Sequence, residues 1–307
     1  VDAALALDIG GTKVAAGVVD STGSVLRRMQ APTVAHGSED DLWDVVAGLV
    51  GSLLDDFVFD GDPARLVVCG VGCGGPMTEG GELVSPLNIP AWRSFPLRAR
   101  LAALLGSDVP VFVDNDAKAL ALGEGWTGAA AGERNYIAMV VSTGVGGGVV
   151  VDGRLLDGGS GNAGHIGHVL VDASDDARLC KCGARGCLEA EVSGTSIAEI
   201  TGRPAAEASP EVIERAGWLL GRGIASAVVL LDLRLAVVAG SVALGWGAPF
   251  FDAVQRSLDD SARLSYAVGA RVVPGALGHN GPVVGAAAVG WRGLGWRGVG
   301  RPGLAPG

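Results

Sequence analysis

Basic side chains are scarce in this sequence: 23 lysines and arginines stand against 33 aspartates and glutamates, a formal charge of −10 over 307 residues. Nucleic-acid binders carry a basic footprint, so that class is set aside. Long apolar runs are missing too, although the mean hydropathy is +0.39. The run from Ile224 to Leu231 stops at Asp232 and Arg234, well short of the ~18 uncharged residues that a membrane-spanning helix needs. The opening VDAALALDIGG has no basic region and an acid where a cleavage site would sit, so no signal peptide is expected and a cytoplasmic location is. Charged residues are only 18% of the chain against 49% hydrophobic, which excludes disorder. The expectation is a compact protein of one large or two medium domains.

Glycine, by contrast, is abundant at 51 residues, over twice the average share of roughly 7%. The glycines gather where short β-branched runs end, which reads as tight turns and close backbone approaches. The five cysteines are an odd number, and Cys180, Cys182 and Cys187 stand together. Without an export signal that spacing favours a metal over disulfides. Cys69 and Cys73 read as plain buried thiols.

Three short strands are expected over residues 3–7, 13–19 and 25–29. Ser38 then caps a helix with Glu39, Asp40 and Asp41 in its first turn, and Leu42, Val45, Val46, Leu49, Val50, Leu53, Leu54 and Phe57 form its apolar face. Further along, LALDIGGTKVAAGVVD is echoed by MVVSTGVGGGVVVDG. Each is a strand, a polar residue, a Gly/Thr turn, a second strand and an Asp. Two such units point to a pair of related α/β halves, although one pair of short matches could also arise by chance. The end from Gly290, GWRGLGWRGVGRPGLAPG, shows no hydrophobic period and is expected to be a disordered tail from residue 292.

Four segments carry chemistry. In DIGGTK, residues 8–13, bare Gly10 and Gly11 let backbone N–H groups approach phosphate oxygens, Thr12 adds a hydroxyl, and Asp8 offers a Mg²⁺ ligand. A plain hairpin turn explains the same residues equally well, and the Walker ending is absent. STGVGGG, residues 142–148, supplies a second turn of this kind. Asp114, Asn115 and Asp116 follow a strand and open a helix; such an acid could take a proton from a substrate hydroxyl, or simply cap the helix. GHIGHV followed by CKCGARGC places His168 with Cys180, Cys182 and Cys187, one imidazole and three thiols. That is a closed tetrahedral set for a structural Zn²⁺; reduced loop cysteines are the alternative.

DIGGTK, DNDA, STGVGGG and GHIGHV…CKCGARGCLE together resemble the ROK family of bacterial sugar kinases and repressors, over nearly the whole chain to about Gly290. The resemblance implies an actin-like, hexokinase-like ATPase fold of two α/β domains around a cleft. It places a small domain at residues 1–114 plus a C-terminal helix over 281–291, and a large domain at 115–280 with the zinc segment at 165–189. It implies ATP-dependent phosphorylation of a hexose at its 6-hydroxyl, with Mg²⁺ and structural Zn²⁺, in a homodimer or homotetramer. The repressor branch has an N-terminal helix-turn-helix, and its absence from these residues favours a kinase. By resemblance Asp116 is the base; Gly75, Asn88, Asn115, His165, His168 and Glu189 lie at the sugar. Asp8, Gly10, Gly11, Thr12, Lys13, Thr143 and Gly144 surround the phosphates, with Gly240 near the adenosine.

The sequence departs from that pattern at three places. His165 stands where the family has a sugar-binding Glu, exchanging a charged acceptor for a group that also donates and putting the identity of the sugar in doubt. Lys118 replaces the second Asn of NDAN, and the PGP-like turn reads Gly74-Gly75-Pro76. The alternatives kept open are a kinase for an amino or N-acyl hexosamine, a catalytically weak sugar-sensing regulator, and polyphosphate as the donor.

Overall fold

The computed structural model describes residues 1–55 and 65–295. The chain runs β1 (Asp2–Ile9), β2 (Lys13–Asp20), β3 (Val25–Pro32), α1 (Glu39–Leu54), β4 (Arg65–Cys73), α2 (Leu97–Leu105), β5 (Val111–Asn115) and α3 (Asp116–Thr127). It continues as β6 (Tyr136–Val141), β7 (Val145–Val151), β8 (Arg154–Leu155), α4 (Leu188–Val192), α5 (Gly194–Thr201), α6 (Pro210–Leu231) and β9 (Leu235–Ala239). The last elements are α7 (Ser241–Trp246), α8 (Ala248–Ser261), β10 (Arg271–Pro274) and α9 (Gly281–Gly293). Among the described residues no helix is long and apolar enough to cross a membrane.

The two five-stranded sheets share one topology. The first has the order β3-β2-β1-β4-β5, and the second reads β8-β7-β6-β9-β10. In each, the opening three strands form an antiparallel meander and the last two join parallel to the first. The echo between the two Gly-turn segments is therefore a repeat of whole sheets, each with its turn between the first strand and the second.

Two compact units contain these sheets. One comprises Val1–Gly132, Asp157–Ala163 and the chain from Leu277 onward; the other comprises Glu133–Leu156 and Gly164–Ala276. The expected boundary after residue 114 is thus displaced: α3 belongs to the first unit, and residues 157–163 return to it. The reason lies in packing. A Cβ on Gly123 would come 3.0 Å from Gly285, and one on Gly285 would come 2.6 Å from the Ala119 carbonyl oxygen, so α3 and α9 meet backbone to backbone.

Strand β1 alternates between two cores. Leu5, Leu7 and Ile9 pack with Leu42, Val46 and Leu49 of α1 and with Leu97 and Leu101 of α2. Ala4 and Ala6 share the opposite face with Val283, Ala286 and Ala287 of α9. Small residues prevail on that face because α9 lies nearly on the strands: a Cβ on Gly70 would fall 2.0 Å from the Ala286 carbonyl oxygen. Ser38 caps α1 through a capping box, its Oγ accepting the Asp41 N–H while Asp41 accepts the Ser38 N–H. Phe57 of the expected apolar face lies outside the described residues. Helix α9 runs on to Gly293 rather than giving way to a tail at 292, and residues 296–307 lie outside the described residues.

Candidate functional site

In the first unit, β1, β4 and β5 run parallel, and Asp8, Gly72 and Asp114 stand in one row across their carboxyl ends. Loops leaving such ends are where α/β sheets place ligands. Asp8 is the last but one residue of β1. Burial first, and then the charge of Asp116, raises its carboxyl to about 7, with Lys13 and Arg28 opposing the rise. Gly72 carries no side chain between them: a Cβ there would lie 3.4 Å from Asp8 Oδ1 and 3.5 Å from Asp116 Cα.

The question of capping at α3 has a clear outcome. Asn115 is the N-cap, its side-chain oxygen accepting the Ala117 N–H at 3.0 Å. Asp116 is the first helical residue, and its Oδ1 lies 2.8 Å from the same N–H. Asn115, expected at the sugar, thus has its side-chain oxygen engaged in holding the helix start.

The DIGGTK turn closes the β1–β2 hairpin. The Gly10 N–H donates to the Lys13 carbonyl, and Thr33 ties the turn down through its hydroxyl, which donates to the Gly10 carbonyl at 2.6 Å. Gly10 therefore spends its N–H inside the turn rather than on a ligand, leaving Gly11, Thr12 and Lys13 as the turn's candidate donors. Gly11 must be bare because a Cβ would meet Asn88 Cβ at 2.7 Å; that contact brings the Asn88 loop against the turn. Gly75 joins through its carbonyl, which accepts the Leu87 N–H.

Lys118 has no part in an open site. It is buried, its Nζ donating to Asp157 at 2.9 Å and to the Gly161 carbonyl at 3.1 Å and pairing with the Asp114 carboxylate at 2.9 Å. Arg292 pairs with the same two carboxylates. Asp157 and Arg292 escaped the sequence reading because they lie 39 and 174 positions from Lys118, and nothing local links them.

In the second unit, β6, β9 and β10 run parallel, and the carboxyl ends of β6 and β9 lead into Ser142–Gly144 and Gly240. Gly240 has φ +101°, and a Cβ would stand 2.3 Å from the Val141 carbonyl oxygen, so the backbone after β9 lies on the end of β6. The Ser142 and Ser241 hydroxyls meet at 2.9 Å. Glu189 adjoins this turn, its Oε2 accepting the Val145 N–H at 2.8 Å. The rings of His165 and His168 have centroids 6.1 Å apart. Thr143, Gly144, Gly240, Glu189, His165 and His168 accordingly fall in one unit, and Asp8, Gly10, Gly11, Thr12, Lys13, Gly75, Asn88, Asn115 and Asp116 in the other.

The four metal-ligand candidates come together as the spacing predicts. One donor atom from each of His168, Cys180, Cys182 and Cys187 lies within 4.8 Å of all the others. Cys182 and Cys187 sulfurs are 3.7 Å apart, as are Cys180 Sγ and His168 Nδ1; Zn–S bonds of about 2.3 Å in a tetrahedron demand roughly 3.8 Å between sulfurs. Burial and the neighbouring thiols push Cys187 up to about 12, whereas the Ala184 backbone N–H draws Cys182 down. Thiols this crowded ionise together only around a cation, so the residues fit zinc. Cys69 and Cys73 are buried thiols, and burial raises both.

Comparison with known proteins gives a single answer. The family model described as ROK family matches residues 4–291. A glucokinase of Thermotoga maritima is 37% identical over 195 residues, covering 63% of this chain and 58% of that protein. The N-acetylmannosamine kinase of Escherichia fergusonii is 36% identical over 259 residues, covering 79% of this chain and 84% of that one. Among solved structures, a Streptomyces griseus glucokinase in complex with glucose and AMPPNP superposes with a TM-score of 0.79 at 27% identity, over 94% of this chain and 99% of that one.

Proposed function

Since the chain belongs to the ROK family and has its actin-like, hexokinase-like ATPase fold, we propose that it is a sugar kinase, transferring the terminal phosphoryl group of ATP to the 6-hydroxyl of a hexose. The observation that carries the reading is the opening of α3. Asn115 caps the helix, and the Asp116 carboxyl stands at its first turn beside Asp8, at the carboxyl end of a parallel sheet.

In this reading Asp116 accepts the proton of the attacking hydroxyl, a task for which a side chain needs reach and a suitable ionisation rather than covalent chemistry. Asn88 and Gly75 are the first unit's candidates for contacts with the sugar, and His165, His168 and Glu189 are those of the second unit. The Gly11–Lys13 turn and the Ser142–Gly144 turn offer donors to phosphate oxygens, and Gly240 leaves room for the nucleoside. Mg²⁺, when bound, neutralises phosphate charge, and Asp8 is the residue placed to hold it. His168, Cys180, Cys182 and Cys187 would hold a structural zinc.

A kinase for an N-acyl hexosamine is the second reading. It is favoured by His165 in place of a charged acceptor and by the kinship with N-acetylmannosamine kinases. Both readings place the protein in the cytoplasm, where ATP is at hand and the metal-binding thiols stay reduced. They also take it as a homodimer or homotetramer, which light scattering on the purified protein checks.

A panel of hexoses and hexosamines assayed with ATP and Mg²⁺ tests the reading, together with Asp116→Asn. Turnover should fall by about 10³-fold or more in that variant while sugar affinity stays nearly intact. Near-normal turnover would remove Asp116 as the base, and no phosphorylated product from any sugar would remove the kinase reading.

A further inference from the structure

The Ser142–Gly144 turn and the start of β7 are gripped from two sides by the segments that carry the metal-ligand candidates. On one side, Glu189 Oε2 accepts the Val145 N–H at 2.8 Å and stands 2.8 Å from where a Cβ on Gly144 would be. Glu189 lies two residues past Cys187, the N-cap of α4. Just beyond that helix, the Gly194 N–H donates to the Ser142 carbonyl at 2.7 Å, and the Thr195 hydroxyl donates to the Thr143 carbonyl at 2.9 Å. On the other side, a Cβ on Gly167 would fall 2.2 Å from the Val145 carbonyl oxygen, and one on Gly164 would fall 2.4 Å from that of Gly147. Gly167 directly precedes His168, and Gly164 lies four residues before it. The two gripping segments are themselves joined, the Leu188 N–H donating to the Val169 carbonyl at 2.9 Å.

We propose that Glu189 is a positioning residue that fixes the Ser142–Gly144 turn where it enters β7, so that occupancy of the His168–Cys180–Cys182–Cys187 site sets how tightly the turn holds a nucleotide's phosphates. The proposal rests on the reading of that turn as a phosphate cradle. Gly146, Gly147 and Gly148 are held in the β6–β7 ladder, but Ser142, Thr143 and Gly144 lie outside it, and the backbone freedom of a turn that contains a glycine must be given up when a ligand is bound. A carboxylate bonded to the Val145 N–H removes part of that freedom beforehand, and a bond to an ionised acceptor is stronger than a neutral one. With the metal site loaded, Cys187 and His168 anchor the two segments from which the grip is made.

Amide hydrogen exchange on peptides covering residues 139–148 and calorimetric binding of MgATP test this on the full chain. The samples are wild type, Glu189→Ala, Glu189→Gln and wild type stripped by a chelator, with metal content measured for each. Glu189→Ala should keep its metal, exchange about tenfold faster across 142–145 and bind MgATP about tenfold more weakly. Glu189→Gln retains an acceptor oxygen and should change both by less than about threefold. Stripping the metal should move the same peptide in the same direction as Glu189→Ala. Thr195→Val, which removes only the hydroxyl bond to Thr143, should give a milder form of the shift and serves if Glu189→Ala folds poorly. Wild-type exchange at 139–148 in Glu189→Ala, or after metal removal, would overturn the proposal. A wild type that takes no MgATP would instead overturn the phosphate reading of the turn, while the exchange result separately decides whether Glu189 holds it.

Discussion

Asp8 and Asp116 border one bare point on the sheet, the position above Gly72 where a methyl group would lie within 3.4 Å of the first and 3.5 Å of the second. Alanine at 72 would make ordinary contact with both, but Ala119 of α3, at 3.3 Å, must give way by a few tenths of an ångström, and Asp116 opens that same helix. We expect Gly72→Ala to fold but to lose about tenfold or more in turnover, since a small misplacement of a catalytic group is costly. Gly70→Ala, one pleat earlier, meets the Ala286 backbone at 2.0 Å and should lose at least ~2 kcal/mol of stability. Denaturation midpoints and kcat for the two variants separate these effects; a Gly70→Ala protein as stable as wild type would show that α9 is not so tightly seated.

The raised carboxyl of Asp8 gives stability a pH dependence of definite sign. Its folded value is about 7 against an ordinary 3.8. Between those values the native chain keeps a proton that the unfolded chain releases, so stability falls as pH rises through the window and the loss is complete above about 7. Asp8→Asn lacks this proton. Its melting temperature should therefore gain on wild type from pH 4 to pH 7 and the gap should then level off. In Asp116→Asn, with one upward cause removed, the midpoint should move to lower pH. A gap that does not vary with pH would contradict the assignment.

Lys118 lies between Asp114 and Asp157 with almost no exposure, so removing its charge leaves the mostly buried Asp114 carboxylate with only the longer Arg292 contact. Lys118→Met should cost about 3 kcal/mol in urea denaturation. Arg292→Met should cost less, because Arg292 is a third exposed and Lys118 still serves both acids. Equal costs would show that the arginine, not the lysine, holds residue 157.

Residue 165 is where specificity is to be sought. His165→Glu should shift the ratio of kcat/KM for glucose over N-acetylmannosamine by about tenfold or more toward glucose, the worth of one hydrogen bond to a charged acceptor. An unchanged ratio would place the choice of sugar elsewhere.

Much of the fold was legible because its signals are local. The Ser38 cap, the apolar stripe of α1 and the strand–turn–strand units each depend on residues a few positions apart. The cluster of candidate metal ligands was legible for the same reason, with three cysteines inside eight residues and a histidine twelve before the first of them. What escaped notice depends on distant segments. The seating of α3 on α9 needs Gly123 and Gly285 together, and neither glycine looks unusual in its own helix. Glu189 was expected at the sugar, but its bond to Val145 spans 44 positions and has no sequence signature.

The order of residues alone therefore determined which side chains can do chemistry here: two bare turns, an acid at a helix start, and four soft donors at metal spacing. Only the tertiary structure decided how they are used. It assigned the cap to Asn115 and left Asp116 beside Asp8, spent the Gly10 N–H within its own turn, buried Lys118 between two acids, and set Glu189 against Val145. The physical reason is that hydrophobic periodicity and turn chemistry act over a few residues, whereas hydrogen-bond partners, burial and shifted ionisation are properties of whatever the packed chain brings alongside.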